Sequence, residues 1–251
     1  MPEPQAPDHF SRVASHYAQS RPRYPDDLFH WLSGACVQHQ LAWDVGAGTG
    51  QATVGLAPRF ERVVATDLSA EQLALAPPLG NVEYRVSAAH ESGLSFASVD
   101  LVTVAQALHW FDLPAFYAEV KRVLKPAGRI AVWTYGILSV EGTAPDERVQ
   151  HFYRDVVGPY WPPGREHVEN GYADLPFPFV ELPAKRIDMT VSWDLDAFLG
   201  YVRSWSSTGR MQKQTGTDPT AQLEADLLPI WGGRQRQRAV TWPLRIRLGR
   251  S

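Results

Sequence analysis

The stretch Leu41-Ala42-Trp43-Asp44-Val45-Gly46-Ala47-Gly48-Thr49-Gly50-Gln51 constrains the fold more than any other part of the chain. An apolar run that closes on an acid and then on three alternate glycines describes a buried strand turning tightly into a helix. Glycine admits positive φ there and lacks the Cβ that would hold a ligand off the backbone. The following Ala52-Thr53-Val54-Gly55-Leu56-Ala57 can begin a helix whose N-terminus faces that ligand. Spacing narrows the choice of ligand. A dinucleotide fold wants a glycine three residues after the second one, where a pyrophosphate meets the helix, and Gln51 stands in that place. Asp44 at the strand end suits a ligand with a cationic group better than it suits a pyrophosphate.

About twenty residues further on, Glu61-Arg62-Val63-Val64-Ala65-Thr66-Asp67-Leu68-Ser69 describes a second buried strand ending in an acid, the position from which a carboxylate can accept from both hydroxyls of a ribose. Asp67 could instead cap the next helix, but Ser69-Ala70-Glu71-Gln72 already supplies a capping box. Further strands are expected at Val82–Val86, Val99–Val104 and Arg129–Trp133. Pro114 opens a helix carrying Phe116, Val120, Val123 and Leu124, which Lys125-Pro126-Ala127-Gly128 stops. Strands alternating with helices specify an α/β fold, a parallel sheet with helices on both faces. Two amphipathic helices precede it, one through Phe10, Val13, Ala14 and Tyr17 and one through Leu28, Trp31, Leu32 and Ala35. After Trp133 the pattern predicts a helix near Glu147 to Val157, a proline- and aromatic-rich loop through Tyr160-Trp161-Pro162-Pro163-Gly164, a strand at Ile187–Trp193, a helix at Asp196–Trp205 and a closing strand at Val240–Leu248.

The glycine turn resembles motif I of the class I S-adenosylmethionine-dependent methyltransferases. Three other segments are similar to the type 11 and trans-aconitate methyltransferase-like group: Tyr17-Ala18-Gln19-Ser20-Arg21-Pro22-Arg23-Tyr24-Pro25, the KPAG turn at 125–128, and Ala105-Gln106-Ala107-Leu108-His109-Trp110-Phe111-Asp112. The resemblance implies a Rossmann-like, seven-stranded, mostly parallel sheet completed by an antiparallel pair. It implies one methyltransferase domain over 1–251, with an N-terminal helical cap (1–39), a cofactor-binding core (40–135), an insertion or lid (136–178) and C-terminal strands and helices (179–251). S-adenosylmethionine would be held by Asp44, Gly46, Gly48, Gly50, Asp67, Leu68, Ser87, Ala88, Ala89 and Gln106. The chain departs from the group at Ser87 and Ala88, where many relatives carry the Asp that meets the adenine amino group; the Ser87 hydroxyl or backbone at Ala88 and Ala89 would take its place. His109, just past the fourth strand, is the candidate catalytic residue, a base titrating near pH 6 to 7 or a positioning group, with a packed histidine as the structural alternative. Tyr17, Arg21, His109, Tyr160 and Trp161 are candidate acceptor contacts, and Arg21 or Arg23 could pair with an acceptor carboxylate.

Bulk properties exclude other classes. A net charge of -3 supplies no basic field for holding nucleic acid by its phosphates. The fourth strand runs into AQAL rather than the Asn/Asp-Pro-Pro-aromatic sequence of base-directed enzymes, and Pro77-Pro78 falls in another element. Arg234, Arg236, Arg238, Arg245 and Arg247 read as an exposed loop and the solvated side of a half-buried strand. Only Cys36 is present, no secretory or membrane-spanning pattern is apparent, and the eight histidines include no metal-binding motif; a cytoplasmic, metal-free monomer or homodimer with no membrane partner is expected. The function expected is methyl transfer from S-adenosylmethionine to a small organic acceptor, a carboxylate or hydroxyl. The alternatives are a nicotinamide-dependent oxidoreductase and an S-adenosylmethionine-binding protein without catalysis.

Overall fold

The computed structural model describes residues 22–250. Helix α1 (Asp26–Gly34) follows Pro25, carries Asp26 and Asp27 in its first turn where the helix dipole favours acids, and buries Leu28, Phe29 and Leu32. The alternation expected from Leu41 onward is then realised. It runs β1 (Leu41–Val45), α2 (Gln51–Leu56), β2 (Arg62–Asp67), α3 (Ala70–Leu73), β3 (Val82–Val86), β4 (Val99–Ala105), α4 (Leu113–Val123) and β5 (Leu124–Thr134). Asp112 caps α4 by accepting from the Ala115 N–H, and β5 starts directly at Leu124, taking in the KPAG segment that was expected only as a turn.

These five strands are parallel, in the spatial order β3-β2-β1-β4-β5. Because the sheet is covered on both faces, β1 and β4 are buried almost throughout and read as continuous apolar runs. One face carries Ala42, Leu101 and Trp133 against Leu28, Phe29, Leu32 and Leu56; the other carries Trp43, Val102 and Val104 against Phe116 and Val120. The order in which strands are added reverses between β1 and β4, so the crevice at their carboxyl ends is where an open α/β sheet binds its ligand.

The second half comprises β6 (Ser139–Val140), α5 (Thr143–His151) continued by a π-helical turn over Phe152–Val156, α6 (Arg165–Glu169), β7 (Val180–Leu182), β8 (Ile187–Trp193), α7 (Leu195–Arg203), α8 (Ser206–Thr215), α9 (Pro219–Trp231) and β9 (Arg238–Arg250). Here the structure differs from expectation. The antiparallel completion comes from β9 and β7, not from β9 and β8. Residues 245–250 of β9 pair with β5 on one side, and 248–250 pair with β7 on the other, which gives a seven-stranded parallel-plus-antiparallel unit. The first half of β9 carries β6 and β8 as an extension, so nine strands are joined in all among the described residues. A strand of 13 residues is long enough to serve two partners end to end, and its length was hidden by Pro243. Helices α8 and α9 were not foreseen, since α8 is polar around most of its circumference.

Two of the arginines expected in solvent are anchors. Arg247 donates to the Tyr172 and Leu175 carbonyls at 2.8 and 2.9 Å and lies over Phe177. Arg238 is buried, donating to the Trp231, Ile230 and Glu141 carbonyls.

The start of β1 is fixed by Asp100 on β4. This buried carboxylate accepts from the Gln40 and Leu41 N–H groups at 2.9 and 3.0 Å and pairs with Lys125 at 2.8 Å. Replacing Asp100 with Ala leaves two amides without their acceptor and the Lys125 ammonium with only the Gln38 and Gln40 side-chain oxygens, and urea unfolding should show a loss of about 2–4 kcal/mol. A loss under about 1 kcal/mol would show that water replaces the carboxylate there.

Candidate active site

The glycine turn is built on a buried acid. Asp44 has no solvent exposure, and its two carboxylate oxygens accept from Thr53 Oγ1 at 2.6 Å and Thr103 Oγ1 at 2.8 Å. It thus ties the end of β1 to α2 and to β4 beneath the turn, so any service to a ligand from this side chain is through the loop it holds. The loop is also laid along β2, with the Gly46 and Ala47 N–H groups donating to the Thr66 carbonyl. Gly46 and Gly48 have φ of 66° and 55°, and a Cβ on Gly46 would lie 2.6 Å from the Ala107 Cβ, so the loop after β4 closes directly over this glycine.

Asp67 joins the two predicted cofactor elements. One oxygen accepts from the Gly48 N–H at 2.8 Å and the other from the Ser69 N–H at 2.9 Å, while Ser69 itself caps α3 by accepting from Gln72 N–H. Each oxygen of Asp67 keeps a lone pair for a ligand hydroxyl. Leu68 next to it is a largely exposed apolar side chain. At the end of β3, the Ser87 hydroxyl donates to the Glu91 carbonyl, which leaves its oxygen as an acceptor, and Ala88 and Ala89 are half-buried beside it. Asp67, Ser87 and the glycine turn therefore share the carboxyl ends of β1, β2 and β3. A Cβ on Gly48 would lie 3.0 Å from Gln72 Oε1, so the cradle is open to a ligand only down to the backbone that glycine leaves bare. This donor and acceptor set fits a nucleoside whose ribose reaches Asp67.

Gln106 and His109 follow β4. Gln106 sits at φ 59°, a left-handed conformation that costs a non-glycine residue about 1 kcal/mol or more. It is held there from three sides: its N–H donates to the Trp133 carbonyl, its side-chain amide to the Tyr135 carbonyl, and Thr134 Oγ1 donates to its Oε1. His109 Nδ1 lies 3.0 Å from the Tyr172 hydroxyl. Burial, helped by the nearby His167 and Arg165, lowers its pKa to about 4. That direction runs against a base titrating near pH 6 to 7 and toward an uncharged imidazole at neutral pH.

One cavity of about 310 Å³ reaches the glycine turn at Thr49 and the loop after β4, whereas Asp44, Gly46, Gly48, Gly50, Asp67, Leu68, Ser87, Ala88 and Ala89 do not line it. Thr49 of the glycine turn, Gln72, Gln106 and His109 line it from the core, and Tyr153, Trp161, Arg165, Tyr201, Trp205 and Trp242 from the insertion and C-terminal region. Arg165 lies 4.4 Å above the Trp161 ring and donates to the Tyr153 hydroxyl, which in turn donates to Glu169 at 2.6 Å. Of the acceptor contacts read from sequence, His109 and Trp161 line the cavity, Tyr160 does not, and Tyr17 and Arg21 lie outside the described residues. Arg23 is exposed. The sequence reading missed Gln72, Arg165, Arg203, Trp205, Arg210, Lys213 and the buried Tyr172. Ser206, Gly209, Arg210 and Lys213 recur at i, i+3, i+4 and i+7, a helical stripe that is not apolar and so gave no core signal.

Residues 43–132 match a methyltransferase domain. Over 227 residues the chain is 37% identical to a methyltransferase of Dictyostelium discoideum, an overlap of 89% of this chain and 86% of that one. It is 34% identical over 223 residues to a methyltransferase of Mycobacterium tuberculosis, covering 86% and 85% of the two chains. A solved methyltransferase structure from Anaeromyxobacter dehalogenans superimposes with a TM-score of 0.88 at 44% identity, over 92% of this chain and 97% of that one.

Burial raises the Asp44 pKa to about 6, against the two threonine hydrogen bonds that lower it. A carboxyl whose pKa is higher folded than unfolded binds its proton more tightly in the folded state. Its contribution to stability is therefore greatest below about pH 4, falls as pH rises to about 6, and is constant above that, a swing of about 3 kcal/mol. Replacing Asp44 with Asn removes the titration. The stability of the variant relative to the parent should improve by about 1–3 kcal/mol between pH 4 and pH 7 in urea melts; a difference that does not change with pH would mean that the Asp44 carboxyl is not destabilised by burial.

Proposed function

Because this chain belongs to the class I S-adenosylmethionine-dependent methyltransferases, we propose that it transfers the methyl group to a carboxylate or hydroxyl of a small organic acceptor bound in the cavity between the glycine turn and Trp161. Family membership removes the nicotinamide alternative. The observation that supports the reading is that Thr49 of the glycine turn and Gln106 after β4 line the same cavity as Trp161, Trp205 and Arg165.

The cofactor, when bound, supplies a methyl group on a positively charged sulfur, a leaving group already activated for in-line displacement. What remains for the protein is to hold the reacting atoms in line. We assign Gly46, Gly48 and Gly50 to close backbone approach, with Asp44 setting their position from below. Asp67 would accept from the ribose hydroxyls, Leu68 and the backbone at Ala88 and Ala89 would bracket the adenine, and the Ser87 oxygen would accept from its amino group. Gln106, clamped to β5, fixes the floor where β1 and β4 diverge. An uncharged His109 presents one ring N–H and one bare nitrogen, oriented by the Tyr172 hydroxyl, so it can hold an acceptor oxygen by a hydrogen bond. A carboxylate acceptor needs nothing more, whereas a hydroxyl would need a stronger base than a histidine of pKa about 4. A lowered His109 pKa thus supports the carboxylate over the hydroxyl in this reading.

Replacing Asp67 with Ala should weaken S-adenosylhomocysteine binding by about 1.5–3 kcal/mol, more than tenfold, as titration calorimetry would read it. An unchanged dissociation constant in a variant of normal melting temperature would confine Asp67 to holding Gly48 and Ser69. For His109→Asn, turnover should fall roughly tenfold or more with cofactor affinity changed less than about threefold. The parent enzyme's kcat profile should show no histidine ionisation between about pH 5.5 and 8, because the group is already neutral there. An ionisation near 6.5 that disappears in the variant would make His109 a general base after all. If no methylated product forms from any carboxylate or hydroxyl compound while the cofactor binds normally, the chain is a binding protein rather than an enzyme.

A further inference from the structure

Every charged side chain that lines the cavity is basic. Arg165, Arg203, Arg210 and Lys213 face it, and among the described residues no Asp or Glu does, although the whole chain has 27 acids against 24 Lys and Arg. Two of the four cations already have partners: Arg165 pairs with Glu169 at 3.4 Å and Arg203 with Glu224 at 3.5 Å. Arg210 and Lys213 make no ion pair with any described residue. Arg210 is nevertheless half-buried, where leaving a guanidinium without an anion has a desolvation cost that surface lysines escape.

Lys213 is exposed yet lines the same cavity as Arg210. Both sit on α8, three residues apart, where like charges repel and destabilise a helix by a few tenths of a kcal/mol. With Ser206 and Gly209 they form one stripe turned to the cavity, and a Cβ at Gly209 would meet nothing within 4 Å, so the stripe borders open space. Helix α8 packs on the 158–160 turn, α7 and α9, so the stripe belongs to a different wall element from the loop after β4 that carries Gln106 and His109. The same lining holds Trp161 and Trp205, ring centroids 5.9 Å apart, with Tyr153, Tyr201 and Trp242.

We propose that α8 is an acceptor-recognition subsite. It takes an acceptor with a flat apolar body that lies against Trp161 and Trp205, and with an anionic group, remote from the atom to be methylated, that Arg210 and Lys213 hold. This rests on the methyltransferase reading for what happens at the other end of the same molecule, but binding at α8 can be measured without it. The anion supplies the counter-charge that the two side chains lack, and the aromatic surface supplies desolvation of the acceptor's body.

The test uses tryptophan fluorescence titration of the full chain with naphthalene-2-carboxylate and with its neutral isostere naphthalene-2-carboxamide, each with and without S-adenosylhomocysteine. The carboxylate should bind roughly tenfold or more tightly than the amide. In the doubly substituted Arg210→Gln, Lys213→Gln variant that ratio should fall below about threefold, with the melting temperature and the S-adenosylhomocysteine dissociation constant unchanged. Trp205→Ala should weaken both probes together and leave the ratio intact. Equal binding of the two probes to the parent protein, absence of binding by either, or a ratio that survives the double substitution would each overturn the proposal. Failure of S-adenosylhomocysteine to bind would instead strike the methyltransferase reading, and the ratio measured without cofactor would still decide the subsite.

Discussion

The rest of the site depends on one buried carboxylate with two hydroxyl partners. Asp44 could not be left in the sheet interior alone, because an uncompensated buried acid is costly; Thr53 and Thr103 satisfy both oxygens from opposite sides. That satisfaction is also a positional constraint. Thr53 belongs to α2 and Thr103 to β4, so the acid locks the strand before the glycine turn, the helix after it and the neighbouring strand into one unit. A loop of glycines has little conformational preference of its own, and its shape here comes from being suspended between Asp44 below and the Thr66 carbonyl and Asp67 carboxylate alongside.

The same logic of over-determined geometry extends to the crevice walls. Gln106 and Tyr172 both have φ near 60°, at 59° and 61°, and both are held by bonds from several directions. Tyr172 donates its N–H to the His167 carbonyl at 2.7 Å, accepts at its own carbonyl from Arg247, and presents its hydroxyl to His109. The strain lies on either side of His109, in the strand-end loop and in the insertion, so the histidine is where the core and the inserted segment meet. A rigid meeting point suits a reaction whose catalysis is alignment.

Local pattern made the first half of the fold legible in the sequence. The glycine spacing, the acids ending β1 and β2 and the period-two run at Ile187–Trp193 are short-range signals, and the corresponding elements form where expected. Gly48 and Asp67, singled out from those same short-range signals, lie at the carboxyl ends of β1 and β2 and bond to one another. Most of the cavity lining was not legible, because it is assembled from segments far apart in the chain, and because Arg210 and Lys213 lie on a polar helix whose pattern resembles any solvent face. Arg247 and Arg238 failed for the same reason in reverse: a strand alternation predicts which way a side chain points, but not that Tyr172, Leu175 or Glu141 would bring carbonyls to meet it. The pKa of His109 was equally out of reach, since burial by the insertion sets it.

The distribution of charge along the cavity then has a mechanistic sense. Transfer of a methyl group from a cationic sulfur to an anionic oxygen annihilates opposite charges, so polar surroundings at the reacting atoms would stabilise the separated reactants more than the transition state. Cations placed beside the attacking oxygen would also lower its reactivity. Of the four cations lining the cavity, the two without an ion pair among the described residues lie on α8, while His109, the clamped Gln106 amide and aromatic rings line it from other elements. An acceptor can then be drawn in by its remote anion while its reacting oxygen stays in surroundings of low polarity. On the proposed reading, burial of His109 would serve that end: a histidine with an ordinary pKa would be partly protonated near neutral pH and would put a positive charge beside the nucleophile.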